Sequence, residues 1–278
     1  MRRMLVVMLL TGLAPVWGAT LVVPAGDADA LAEALTKAQA GDMVELAGGV
    51  YVGGITLPGV GTQGAPLTVR AAEGARVVID AHGDEYGVRI AAGAGWLVIE
   101  NLVVVRARSF GLYARPAHDL AIRGCTFARN GDSGLYLRQV NGAVIERCVF
   151  HHNRINGARF AGVGLLRVAD CISYLHPAAP GSSENFGLYI TGCAGAIIER
   201  NALFLNDKSG CRIVNSPDGN TVRDNCTYLN GWTGFDINSR SHQHLYVNNL
   251  MINNLAHGIN PKGYSHNNRF VNNTIVGN

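Results

Sequence analysis

Charge is scarce in this sequence: Asp, Glu, Lys and Arg together make up 15% of its 278 residues, and the formal balance is +3 at pH 7. So small a net charge gives no reason to expect a nucleic-acid partner. Aromatic residues are sparse at 7%, and proline occurs 9 times. Beyond the N-terminus no apolar run approaches the roughly 20 residues that a membrane-crossing helix needs. Glycine and apolar residues are abundant, with 35 Gly and 48% apolar content, and Asn recurs throughout the second half. That balance suits a chain of short buried strands joined by tight turns.

The first 18 residues read as an export signal. Arg2 and Arg3 form a basic start, Met4 to Leu13 is a short apolar run, and Val16 and Gly18 place small residues at a cleavage site. The mature chain, 19–278, is therefore expected to be secreted or periplasmic and monomeric. Its six cysteines would lie in an oxidising compartment, where disulfides form.

After the signal, Asp27 to Ala40 is read as an amphipathic helix, with Leu31, Ala34, Leu35 and Ala38 on one face. Asp27 is its expected N-cap and Gly41 its expected stop. This helix belongs to an N-terminal cap over about 19–50. Short strands are predicted at Met43–Leu46, Leu67–Ala71 and Val77–Ile79, with regular coils from about residue 87. From there glycines 87, 111, 134, 157, 187, 210, 234 and 258 open similar segments, spaced 24, 23, 23, 30, 23, 24 and 24 residues apart. The long step carries an insertion, His176 to Ser183. A constant period with strand-type content indicates a β-solenoid. Residues one and three past each glycine are apolar, so the residue between them faces out.

Two polar columns reinforce the register. One reads Asn101, Cys125, Cys148, Cys171, Asn201, Asn225, Asn249, Asn273; the other reads Asn130, Asn153, His176, Asn206, Asn230, Asn254, Asn278. Stacked amides hydrogen-bond along such a pile, and Asn tolerates the left-handed backbone of a turn. Cys125, Cys148 and Cys171 then replace Asn as stacked thiols and Cys211 joins the core, which disfavours disulfides.

The segment AEALTKAQAGDMVELAGGVYVGGITL, followed by coils of the type VIERCVFHHN, resembles the pectate-lyase-like superfamily of right-handed parallel β-helices. The resemblance implies an all-β, single-stranded solenoid with a short N-terminal capping helix. It also implies an active site on the outer face of the strand that starts at the repeat glycine. It does not select among the lyases, hydrolases, epimerases and adhesins that share the fold.

Outward positions on that strand are Arg89, Tyr113, Tyr136, Arg159, Tyr189, Arg212, Asp236 and Asn260, with Arg115, Arg138, Thr191, Asn238 and Lys262 alongside. A stripe of Arg and Tyr with one acid suits an extended acidic polysaccharide, because guanidinium binds carboxylate and tyrosine faces sugar rings. Asp132, Glu184, Asp207, Lys208 and His257 fall on one bank. The candidate catalytic residues are Lys208, Arg212, Lys262 and Asp236. Arg89, Tyr113, Arg115, Tyr136, Arg138, Arg159, Tyr189, Asn260 and His257 are the candidate substrate contacts. The resemblance to family lyases implies a Lys or Arg base with carboxylate-bound Ca²⁺, for which Asp207, Asp236 and Glu184 are the candidate ligands. His242, His244 and His257 match no zinc motif and read as surface or turn residues.

The leading expectation is a lyase that cleaves a uronic-acid polymer by β-elimination. Its rivals are a noncatalytic glycan-binding or structural module and a C5-epimerase. GFDINSRSHQHLYVNNLMINNLAHGI resembles the mannuronan C5-epimerase region bearing Asp-Pro-His-Asp. Asp236 keeps the first Asp, but Ile237, Asn238 and Ser239 replace the rest and the histidine is missing. Inverting hydrolysis is disfavoured, since no Asp-Asp pair or Gly-His-Gly is present. The chain ends within the Asn ladder, and the expectation is that the natural protein continues beyond Asn278.

Overall fold

The computed structural model describes residues 18–177, 184–217 and 219–278. The export signal, apart from Gly18, and most of the His176–Ser183 insertion lie outside these residues. Among the described residues no helix is long and apolar enough to cross a membrane.

Each coil runs through three short strands, as in Ala94–Glu100, Leu102–Val105 and Phe110–Ala114. Successive coils pair in parallel and build three sheets of 11, 10 and 9 strands, a right-handed, all-β solenoid with one short helix. The first sheet carries Ala94–Glu100, the second Leu102–Val105, and the third carries the repeat glycines. The stack begins ahead of Gly87: Met43–Leu46, Gly49–Val52 and Ile55–Leu57 each pair with the following coil. Inward columns fill the core with Val88, Leu112, Leu135, Leu188, Cys211 and Phe235, all fully buried. Pro261, expected in the core, is instead exposed on the last coil.

The repeat glycines are fixed by close approach. A Cβ at Gly111 would lie 2.5 Å from the Gly134 carbonyl oxygen, and one at Gly157 would lie 2.0 Å from Ser173 Oγ. Any larger residue would push neighbouring coils apart.

The capping helix spans Ala28–Lys37, with the Asp27 carboxylate accepting from the Ala30 amide and Leu31 and Leu35 buried. It stops short of the expected Ala40, because Ala38 already leaves the helical region at ψ 141°. Gly41, with φ 86°, turns the chain into the first coil instead of ending the helix.

The corners explain both polar columns and correct one of their members. Asn101, Gly124, Arg147, Asp170, Arg200, Asp224, Asn248 and Asn272 each hold a left-handed backbone at the corner between first and second sheets. The ladder residue is the next one, which points inward. Asn101 is therefore a corner residue, and Leu102 takes its place below Cys125. Left-handed geometry at a non-glycine residue costs about 1–2 kcal/mol, and the ladder offsets it. Asn225 shows how: its Oδ1 accepts from the Asn201 amide and Nδ2, while its own Nδ2 donates to Ile198 O and Asn249 Oδ1. A third ladder, at the corner from the third sheet back to the first, runs from Cys193 through Ser216 and Ser241 to Ser265. A fourth, in the first sheet, links Asn220, His244 and Asn268. His244 is thus fully buried and is not the surface or turn residue expected from sequence. All six cysteines are free, five buried in ladder or core positions and Cys226 half-buried on the outer face of the second sheet.

The outer face of the first sheet consumes much of the acid. Arg70 pairs with Glu45, Arg123 bridges Glu100 and Glu146, and Arg167, Arg200 and Arg223 converge on Glu199.

Replacing Asn225 with Ala should strand the buried Asn201 amide and Ile198 carbonyl at about 1–3 kcal/mol each. Denaturant unfolding is expected to show a loss of that order, with the solenoid still formed. Burial holds His176 near a pKa of about 3 and His244 near about 4. An unfolded chain protonates histidine below about 6.5, so their contribution to stability is complete above that pH and is lost as pH falls toward 3 to 4. His176→Asn, which restores the column's residue type, should flatten the decline in melting temperature between pH 7 and 5. An unchanged slope would exclude His176 as an origin of acid sensitivity.

Candidate functional site

The third sheet brings the expected stripe into one line. Arg89, Tyr113, Tyr136, Arg159, Tyr189, Arg212, Asp236 and Asn260 are successive partners in the parallel register, beginning from Thr56. Adjacent members sit one coil apart, about 4.8 Å. Arg138 runs in a second outward file, and Arg115 Nε donates to Gln139 Oε1 at 3.2 Å on the same side.

The stripe has two chemically distinct ends. Toward the N-terminus Tyr86, Phe110, Tyr113 and Tyr136 form an aromatic cluster, with ring centroids 4.9 to 6.2 Å apart. Arg89 lies 6.0 Å from the Tyr86 ring. The Tyr86 hydroxyl donates to Glu85 Oε1, and burial together with that carboxylate pushes its pKa up to about 12. Tyr86 and Phe110 escaped the sequence reading. Their signal was the position just before the repeat glycine, which was not read as part of the stripe.

The middle is cationic. The Arg159 guanidinium sits between the Tyr136 and Tyr189 rings, 5.1 and 5.0 Å away, and Arg212 lies 5.1 Å from Phe186. Arg159 Nη1 contacts Glu184 Oε2 at 3.3 Å, and Asn156 Nδ2 donates to the same oxygen. The Nε–H groups of Arg159 and Arg212 are both buried and make no hydrogen bond among the described residues. Burial raises the pKa of the Tyr189 hydroxyl, and Glu184 adds to the effect. Burial also raises Asp132, whose carboxylate accepts from Ser133 Oγ at 2.7 Å.

Asp236 faces outward yet is completely covered. Arg212 Nε approaches Oδ2 at 3.6 Å and Lys262 Nζ approaches Oδ1 at 3.1 Å. Both contacts are Coulombic, because neither carboxylate oxygen receives an aligned hydrogen bond. The Lys262 ammonium also lies 4.1 Å from the Trp232 ring. Trp232 stands on the bank directly above Lys208, its amide donating to the Lys208 carbonyl at 2.8 Å. It too was missed, although it precedes Gly234 by the same two residues that separate Lys208 from Gly210.

Arg212, Asp236 and Lys262 thus gather over consecutive coils, with Lys208 on the bank beneath Trp232. Asp207 is exposed beside Lys208, and the exposed His257 pairs in register with Thr233 on the bank. Asp207, Asp236 and Glu184 do not converge. Among the described residues no three His, Cys, Asp or Glu side chains are gathered to hold a metal.

No curated protein sequence matches this chain. Solved structures similar in fold include two polysaccharide lyases and an epimerase module. The pectate lyase Pel9A is 17% identical with TM-score 0.65, over 92% of this chain and 79% of its own. An alginate lyase from Paenibacillus sp. is 17% identical with TM-score 0.61, over 91% and 99%. The Azotobacter vinelandii mannuronan C-5 epimerase AlgE4 A-module is 14% identical with TM-score 0.62, over 93% and 96%. At such identities the likeness establishes architecture alone. A family model described as "Right handed beta helix region" matches residues 86–275, most of the chain, and the protein belongs to that family.

Proposed function

We propose that this protein works outside the cytoplasm on an acidic, uronic-acid polysaccharide laid along the third sheet, and that it cleaves the polymer by β-elimination. The carrying observation is the pair Arg159 and Arg212. They stand two coils apart, about 10 Å. Each is held against aromatic rings with a buried Nε–H that makes no hydrogen bond among the described residues, that of Arg212 reaching Asp236 only at 3.6 Å. An unused buried guanidinium donor costs stability unless an anion completes it. Carboxylates along a sugar chain supply such anions, and the tyrosines between and beyond supply faces for the rings.

β-Elimination requires a neutralised uronate carboxylate, a base for the adjacent C5 proton and a donor for the departing oxygen. In this reading Arg159 and Arg212 neutralise the carboxylate. Lys208, which has no ion-pair partner among the described residues, takes the proton. Lys262, held between Asp236 and the Trp232 ring, delivers a proton to the leaving oxygen. Calcium does not fit this donor set, because Asp236 already faces two cations and Glu184 faces Arg159. No step is routed through it.

A noncatalytic glycan-binding reading is the alternative, favoured by the engagement of Lys262 in an ion pair. Epimerisation shares the C5 proton abstraction but needs a second proton donor on the opposite ring face. The residues at 237–239 offer no histidine for that step.

Incubation with alginate, pectate and glycosaminoglycans should raise ultraviolet absorbance on at least one polymer through the unsaturated product, and a chelator should change the rate by less than about twofold. Arg212→Ala should lower kcat/KM by about 10- to 100-fold, the worth of a charge-assisted hydrogen bond. Lys208→Ala should abolish turnover while leaving polymer binding intact. Binding without any absorbance change would select the noncatalytic reading.

A further inference from the structure

The second sheet presents an outer face unlike the other two. Its outward file His151, Tyr174, Phe204 and Tyr228 forms a continuous ring stack, with centroids 5.3, 5.1 and 4.6 Å apart and interplanar angles of 20° or less. The neighbouring file, Val149, Ile172, Ala202, Cys226 and Leu250, is uncharged. The rim adds Leu175, Leu205 and Leu229, which are 38 to 49% exposed in left-handed corners where apolar side chains gain nothing from water. Monomeric proteins rarely expose an apolar surface so extended.

The opposite rim is charged, and its order is informative. Over four successive coils the corner residues are Arg147, Asp170, Arg200 and Asp224. Reversed end for end, plus-minus-plus-minus becomes its own complement. A two-fold axis parallel to the strands lays the second sheet of one molecule on that of another, with solenoid axes antiparallel. It brings Arg147 against the partner's Asp224 and Asp170 against the partner's Arg200. The same operation lays Tyr174 over the partner's Phe204 and leucine rim on leucine rim. Such isologous pairing is what a two-fold interface requires.

The size is adequate. With the axis between the coils of Asp170 and Arg200, the eight coils whose corners run from Asn101 to Asn272 overlap. At about 4.8 Å each, across about 16 Å of strand and corner, they give roughly 600 Å² per molecule. The total of about 1,200 Å² reaches the lower bound for specific interfaces. Asp170 and Arg200 already pair with each other within one molecule, so across the axis they would meet as two such pairs. The outer two charges, Arg147 and Asp224, are available to the partner. The nearest acid to Arg147 is Glu146 at 4.0 Å, and Asp224 has no ion-pair partner among the described residues.

We propose that the outer face of the second sheet is a homodimer interface, in which a second copy of this chain packs antiparallel and the two polysaccharide grooves remain open. The dimer does not depend on the activity of the groove, and it departs from the monomer expected from the sequence.

Sedimentation velocity of the purified chain across a concentration range tests it. The wild type should sediment as a dimer. Arg147→Asp and Asp224→Arg should each weaken association at least about tenfold, each mismatch being repeated by the symmetry. The double charge swap should restore association to near the wild-type value. Arg and Asp both already occupy this corner file, so the exchanges suit the fold, and circular dichroism should be unchanged. A wild type that is monomeric at every concentration overturns the proposal. So does a dimer insensitive to the single exchanges, or a double swap no tighter than the singles.

Discussion

The hydrogen bond from an inward side chain of one coil to the main chain of its neighbour is the constraint on which the rest of the molecule depends. A solenoid coil must turn sharply at three corners, and each corner exposes main-chain donors and acceptors that strand pairing does not reach. Buried without partners, these groups would cost more than the strands gain. The Asn, Cys, Ser and His ladders complete them, and they do so at a spacing that only the parallel stack provides. Once Asn206, Asn230 and Asn254 are stacked, the backbone before each is driven left-handed, and residues as unsuited to that region as Leu205 and Leu229 are carried along.

Because corners are fixed by their own chemistry, the three outer faces are free to differ. The first sheet pairs Glu and Arg until little net charge remains, with Glu146 and Glu199 each contacted by three arginines. The second sheet carries rings and aliphatics. The third sets its arginines against aromatic rings, and only Glu184 and Asp236 meet Arg159 and Arg212 there among the described residues. A protein of net charge +3 thereby presents a basic groove, through segregation of its acids onto another face instead of through an excess of base.

The architecture was legible in the sequence because it repeats: one misassigned glycine would have broken the columns for every coil after it. Single positions were less legible. Asn101 matched the ladder by residue type, yet it is a corner, since Asn suits both places and only the pairing of Thr126 with Val103 separates them. His244 reads as polar and surface-bound until the Asn220 amide is found donating to its ring. The groove file was readable from the two-residue alternation, whereas Trp232, Tyr86 and Phe110 were not, because they lie just ahead of the glycines where the strand rule does not apply.

Asp236 shows why chemistry is harder to read than fold. Alternation places it outward, as a lone acid in a basic file, and that much the sequence states. What makes it consequential is that Lys262 folds back over it toward Trp232 and excludes water, so that a carboxylate on an outer face behaves as a buried one. A buried carboxylate between two cations, receiving no aligned hydrogen bond, is held by charge alone and is sensitive to whatever anion enters beside it. A uronate carboxylate arriving at Arg212 would compete with Asp236 for the same guanidinium and shift the balance toward Lys262. The meeting of Arg212, Asp236 and Lys262 on consecutive coils depends on the stacking distance and on no motif within any one of them.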